Sequence, residues 1–260
     1  GVIRYCIDIM AKIIAIHSFR GGTGKSNTTA NLAYLLAEKG HRVGIVDTDI
    51  QSPGIHVLFG LDPKSAPYAL NDYLWGKCEI TQSAYDVTSI KGGAPFGRLF
   101  LIPSSIRTGD IARVIHYGYD VNLLKEGCQR LIQELPLDYL FIDTHPGLNE
   151  ETLLSIAIAD LLLIILRPDQ QDYQGTAVTV EVSRHLEVPR ISLIINKAPA
   201  CFSREALEVQ TAATYGCEVI GVLFHAEEMM TLASSGIFAF RYPDHPISEE
   251  LRAIAEKIGR

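Results

Sequence analysis

The chain has 260 residues, 47% of them apolar, enough to bury one large α/β core or two small ones. Its formal net charge of −7 excludes a generally basic nucleic-acid binder and leaves room only for a local basic patch. Its cysteines, Cys6, Cys78, Cys128, Cys201 and Cys217, are odd in number and lack a C-x-x-C pair, which excludes a disulfide framework or zinc site and points to a reducing cytoplasm.

Residues 1–9 precede Met10 and read as an N-terminal extension or expression remnant, leaving 10–260 as a single domain. The apolar run 12–18 predicts a buried strand, and 25–39 a helix with Leu32, Leu35 and Leu36 on one face. Between them lies Arg20-Gly21-Gly22-Thr23-Gly24-Lys25-Ser26, followed by Asn27. A glycine-rich turn at this junction aims backbone N–H groups at an anion, with the positive end of the helix dipole behind them. Glycines let the backbone approach without a Cβ in the way. Residues 21–27 then form a phosphate cradle in which Lys25 reaches the β and γ phosphates and the Ser26 hydroxyl ligates Mg²⁺. The strict G-x-x-x-x-G-K-[ST] spacing is not met, because Phe19 stands six positions before Lys25.

Further apolar runs follow at 42–47, 98–103, 139–143, 161–166, 191–196 and 219–223, with helical stretches between them. Continuous apolar strands alternating with helices predict an α/β fold, a doubly wound and mostly parallel sheet with helices on both faces. The longest run, 161–166, is strand-sized and far below the roughly 18 residues of a membrane span. Residues 51–97 are rich in Pro and Gly and read as a surface excursion, with one short helix near 68–75. The second strand ends in VDTDIQSP, which puts Asp47 and Asp49 at a carboxyl end, where ligands bind in such sheets. The fourth ends in FIDTHPG: Asp143 after apolar residues is a Walker B pattern that can hold Mg²⁺ through a water, and Gly147 can sense a γ phosphate through its N–H.

The segments SFRGGTGKSNTTANLAYLLAEKGHRVGIVDTDIQSPG, DYLFIDTHPG, ILRPDQQ and LIINKA, in this order, resemble the ParA and MinD group of deviant Walker A P-loop ATPases, over about residues 12–258. The resemblance implies ATP and Mg²⁺ as cofactors, a nucleotide-dependent sandwich homodimer, and slow hydrolysis stimulated by an adaptor. It casts Asp49 as the water-orienting acid, Asp143 as the Walker B acid, Asp47 as a helper near the metal and Asn196 as an adenine contact. Pro199 stands where an NKxD guanine motif would have its Asp, which favours ATP. The family's signature lysine is replaced by Arg20, whose planar charged fork suits phosphate. Either Arg20 acts in trans on the partner's phosphates, or it is a flank and dimerisation or hydrolysis departs from the family norm.

His17, His56, His145 and His225 lack ligand spacing, and His145 is expected to face solvent. Asp172 is expected to cap the helix after the fifth run. The stripe Ile247, Leu251, Ile254 and Ile258 in the last helix predicts core packing rather than a membrane tail, so membrane binding is disfavoured. The leading expectation is a ParA-type ATPase that positions or segregates a plasmid, chromosome region or protein body with an adaptor; for Arg184, Arg190, Arg204 and Arg241 a local DNA-contacting patch is open, with ordinary solvated surface the favoured reading of each. A MinD-like membrane-positioning ATPase and an ATP-binding sensor without turnover stand as alternatives.

Overall fold

The computed structural model describes residues 11–89, 96–232 and 234–259. The expected extension at 1–9 lies outside the described residues, as does part of the 51–97 excursion. The first strand, β1 (Lys12–His17), leads through the glycine-rich turn into α1 (Lys25–Glu38) and then β2 (Arg42–Asp47). Two short helices follow, α2 (Ile55–Leu58) and α3 (Leu70–Leu74), then a 3₁₀ turn at Ile80–Ser83, β3 (Tyr85–Asp86) and β4 (Arg98–Ile102). The chain continues through α4 (Thr108–Tyr117), α5 (Val121–Glu134), β5 (Tyr139–Asp143), α6 (Glu150–Ala157), β6 (Leu161–Leu166) and α7 (Gln170–His185). It closes with β7 (Arg190–Ala198), α8 (Arg204–Tyr215), β8 (Glu218–Phe224), α9 (Glu227–Leu232), α10 (Phe238–Arg241) and α11 (Pro246–Gly259).

The strands form one sheet in the order β3-β4-β2-β5-β1-β6-β7-β8, parallel throughout except for the antiparallel edge pair β3–β4. That edge strand escapes sequence reading because two residues carry no periodicity. Its place is set by pairing Tyr85 with Leu101 and Asp86 with Phe100. Successive side chains of a strand point to opposite faces, and here both faces are covered. Leu161, Leu163 and Ile165 of β6 join α1 and α11 in one core, while Leu162, Ile164 and Leu166 join α6, α7 and α8 in another. An unbroken apolar run results. The stripe of α11 is buried against α1 and β8, as the sequence implies.

Register positions the chemistry. β5 lies between β1 and β2, pairing Ile16 with Asp143 on one side and Asp47 with Asp143 on the other. Two aspartates therefore sit side by side at adjacent carboxyl ends, below the turn that leaves β1. Among the described residues no helix is long and apolar enough to cross a membrane.

Candidate functional site

Gly22 and Gly24 take positive φ angles of 76° and 94°, a region that L side chains enter at a cost. Gly24 has a second constraint, since a Cβ there would lie 2.3 Å from Nδ2 of Asn196. Asn196 Nδ2 donates to the Thr23 carbonyl at 2.7 Å, and Lys197 Nζ donates to the Gly22 carbonyl at 2.7 Å. The turn between β1 and α1 is thus braced by the end of β7. Lys197 itself has a φ of 56°, in the left-handed region. Phe19, which departs from the strict P-loop pattern, is accommodated by Gly175 of α7, where a Cβ would stand 2.1 Å from the Phe19 ring.

Lys25 opens α1 and is buried, its Nζ 2.9 Å from Asp143 Oδ1 and 4.0 Å from Asp49 Oδ2. Asp47 is buried beside them, its Oδ1 accepting from the Asp49 N–H at 3.0 Å. Burial, then the neighbouring Asp143 and Asp49 carboxylates, raise the Asp47 pKa well above the ordinary aspartate range. Three carboxylates thus face one ammonium. Asp47 Oδ2 and Asp143 Oδ2 are buried without a protein partner. Buried acceptors of this kind call for a cation or an ordered water, and Ser26 stands in the adjacent first turn of α1. Among the described residues no group of three or more His, Cys, Asp or Glu forms a protein-only metal cage. The two unpartnered carboxylate oxygens beside the Ser26 turn fit Mg²⁺, which is commonly shared between one or two carboxylates and substrate phosphates.

His17 closes β1 beneath this cluster. The Thr144 hydroxyl donates to the Ile16 carbonyl at 3.0 Å, so its contact of 2.8 Å with His17 Nδ1 has the imidazole donating. Burial first, then the Lys25 charge, lowers the His17 pKa to about 3, and the ring is neutral at physiological pH. His145 does not simply face solvent, as the sequence suggests. Its Nδ1 lies 2.7 Å from Asp49 Oδ1, because the loops after β2 and β5 run side by side. Gly147 has a φ of 87°, and its N–H donates to the Ser18 carbonyl at 3.2 Å.

Arg20 is partly exposed and lies 3.5 Å from Asp172 Oδ1 and 3.6 Å from Asp169 Oδ1. The cap of α7 is Asp169, whose side chain accepts from the Gln171 and Asp172 N–H groups, and not Asp172. Asp172 sits in the first turn of the helix and accepts instead from the Arg167 N–H at 2.9 Å.

On the other side of the turn, Gly24, Asn27, Asn196, Phe224, Met229 and Leu251 help line a cleft of about 500 Å³. Its size and mixed amide and apolar lining suit a planar heterocycle. Of the arginines considered for a basic patch, Arg190 is paired with Glu218 at 3.1 Å and Arg204 with Glu250 at 2.6 Å.

Residues 11–190 match a family described as an AAA domain. The chain is 30% identical to an uncharacterised ATP-binding protein of Methanocaldococcus jannaschii, over 97% of this chain and 89% of the relative. It is also 26% identical to the septum site-determining protein MinD of Bacillus subtilis, over 96% of this chain and 89% of that protein. The chain belongs to the ParA/MinD-type P-loop ATPases. Its fold agrees: the structure of MinD from Pyrococcus horikoshii complexed with Mg-ADP superposes with a TM-score of 0.80 at 21% identity, covering 96% of this chain and 97% of that one.

The structure brings Lys25, Asp47, Asp49 and Asp143 together under the turn, with Asn196 and Asn27 on its cleft side and Arg20 at its outer edge. Sequence reading missed the contacts of Lys197 and His145. Lys197 is visible only as part of an incomplete guanine motif, and His145 only as an unusual polar residue between Thr144 and Pro146.

Proposed function

We propose that this chain is an ATP-dependent dimerising ATPase that positions or segregates a cellular cargo with an adaptor protein. The observation that carries this reading is the buried Lys25 among Asp49, Asp143 and Asp47, with two carboxylate oxygens unpartnered beneath a glycine-rich turn. A nucleotide with Mg²⁺ completes that charge pattern. Ser26 and Asp143, with Asp47 nearby, would hold the metal, which neutralises phosphate charge when bound. Lys25 exchanges its carboxylate partner for β and γ phosphate oxygens, and the N–H groups of residues 21–27 cradle the phosphates. Asp49 accepts a hydrogen bond from the attacking water. The water oxygen bonds to the γ phosphorus, the bond to the β–γ bridging oxygen breaks and its electron pair leaves with ADP, while one water proton stays on the phosphate formed and the other passes by way of Asp49 to solvent. Positioning and charge stabilisation supply most of the catalysis in such a reaction.

The ATP-binding relative in M. jannaschii and the Mg-ADP complex of P. horikoshii MinD support the choice of nucleotide. Pro199, in place of an aspartate, disfavours guanine. A positional role is supported by the septum site-determining relative. The buried stripe of α11 leaves that helix no apolar face for a lipid surface. A sensor that binds ATP without turnover is the second reading, favoured by Arg20 in place of the family's lysine.

Calorimetry with ATP and Mg²⁺, then with GTP, and size-exclusion chromatography of Asp49→Ala with ATP test the proposal. Expected are Mg²⁺-dependent binding of ATP in preference to GTP and accumulation of an ATP-bound dimer. Absence of Mg²⁺-dependent ATP binding would overturn it, and steady-state phosphate release separates ATPase from sensor.

A further inference from the structure

Asp49 lies in a loop, two residues beyond the end of β2, where a carboxylate would ordinarily sample several rotamers. Here it is tied down. Its Oδ1 meets His145 Nδ1 at 2.7 Å and the Ser52 N–H at 3.3 Å, while Oδ2 is turned toward Lys25 Nζ, 4.0 Å away. An ionised carboxylate only accepts hydrogen bonds, so the proton is on His145 Nδ1. The approach is prepared by the backbone around His145. Pro146 restricts the preceding residue to extended conformations, Gly147 turns the chain at a φ of 87°, and the Thr152 hydroxyl donates to the His145 carbonyl at 3.4 Å. The imidazole is only 23% exposed, and its donation disperses charge on a carboxylate that already neighbours Asp47 and Asp143.

We infer that His145 is a positioning residue for ATP hydrolysis: its Nδ1–H fixes the Asp49 carboxylate so that Oδ2 faces the attacking water. The inference rests on the reading of Asp49 as the water-orienting acid. His145 touches neither water nor phosphate and acts through Asp49. A misplacement of about 1 Å in such a group costs roughly 100-fold in rate, which bounds the effect of losing the imidazole.

The test compares kcat, KM and calorimetric ATP affinity, with Mg²⁺, for wild type, His145→Ala, His145→Asn, Asp49→Asn and the His145→Ala/Asp49→Asn double variant. Asn carries an N–H donor at about the reach of the imidazole Nδ1. His145→Ala is expected to lower kcat by about 10- to 100-fold with KM and affinity within about twofold, and His145→Asn to return kcat to within about fivefold of wild type. Adding His145→Ala to Asp49→Asn should cost no more than about a further twofold, because the two residues act as one unit. The inference is overturned by wild-type kcat in His145→Ala beside an inactive Asp49→Asn, by His145→Asn as slow as His145→Ala, by additive losses in the double variant, or by a loss of ATP affinity that tracks the loss of kcat. Wild-type turnover in Asp49→Asn is a different failure, since it removes the reading of Asp49 itself.

Discussion

The two sides of the turn between β1 and α1 solve different problems. On one side Lys25, Asp47, Asp49 and Asp143 are buried together with more acid than base. On the other, a cleft of about 500 Å³ is lined by amides, Phe224, Met229 and Leu251. The charged side is electrostatically unfinished, and its buried acids cost stability until a cation arrives. The cleft carries no such tension and can stand open. Phosphate and metal recognition should therefore be steep and sensitive to single residues, whereas base recognition should be shallow and spread over many contacts.

The largest break in that comparison is Lys25→Ala, which leaves Asp143 buried without its ion-pair partner and removes the phosphate contact. Losing one member of a buried pair costs about 3–5 kcal/mol. Calorimetry should find no ATP binding, and unchanged affinity would undo the cradle assignment. Arg20→Ala comes next, at roughly 2–4 kcal/mol of transition-state stabilisation if the guanidinium leaves Asp172 and Asp169 for a partner's phosphates. Monomer binding of ATP should survive while dimerisation or stimulated turnover falls. Turnover regained on mixing Arg20→Ala with Lys25→Ala protein would establish action in trans.

Asp47→Asn sharpens the comparison in the opposite direction. A raised folded-state pKa means that the ionised form is disfavoured in the native protein, so stability is lost as pH rises through it. Removing the charge should stabilise the nucleotide-free protein by about 1 kcal/mol or more, on the scale seen when buried charges are replaced. Thermal melts should then rise without nucleotide and gain less from ATP with Mg²⁺. A lower melting temperature without nucleotide would contradict the reading of Asp47 as a buried, unfinished charge.

His17 gives a pH signature with its own sign. Its folded-state pKa is about 3 against an ordinary 6.5, so the unfolded chain takes up a proton that the native protein refuses. This contribution to stability is intact above pH 6.5 and drains away as pH falls toward 3, at up to about 1.4 kcal/mol per pH unit. Asp47 acts with the opposite sign, so the informative quantity is a difference. Wild type should lose stability faster than His17→Asn, which keeps a donor to Thr144, in denaturant titrations between pH 6 and 4; parallel curves would refute it. The smallest effect belongs to the cleft. Asn196→Ala removes the hydrogen bond to the Thr23 carbonyl and one wall contact, and ATP affinity should fall by about 1 kcal/mol. A loss as large as that of Lys25→Ala would erase the distinction between the two sides.

Residues near one another in sequence were the legible ones. The Gly-Lys-Ser turn is a local object, with strand before and helix after, and Asp47 and Asp143 announce themselves as acids ending apolar runs. Asp169 and Asp172 lie three residues apart, and the sequence pointed to Asp172 as the cap of α7, whereas Asp169 holds that place. The answer depended on Arg167, whose N–H claims Asp172. Phe19 departs from the P-loop pattern in sequence, and Gly175, distant in the chain, makes the room that its ring occupies.

Composition and spacing by themselves determined a doubly wound α/β chain with a phosphate-binding turn, because burial on both sheet faces writes continuous apolar runs and because an anion cradle needs its glycines and lysine within a few residues. Strand order decided the rest. Placing β5 between β1 and β2 set Asp47 against Asp143 and brought His145 to Asp49 across 96 positions of sequence. The position of β7 let Lys197 reach the Gly22 carbonyl across 175. Such contacts follow from which strands neighbour which, and pairing between distant strands is a property of the assembled sheet that no local pattern of residues encodes.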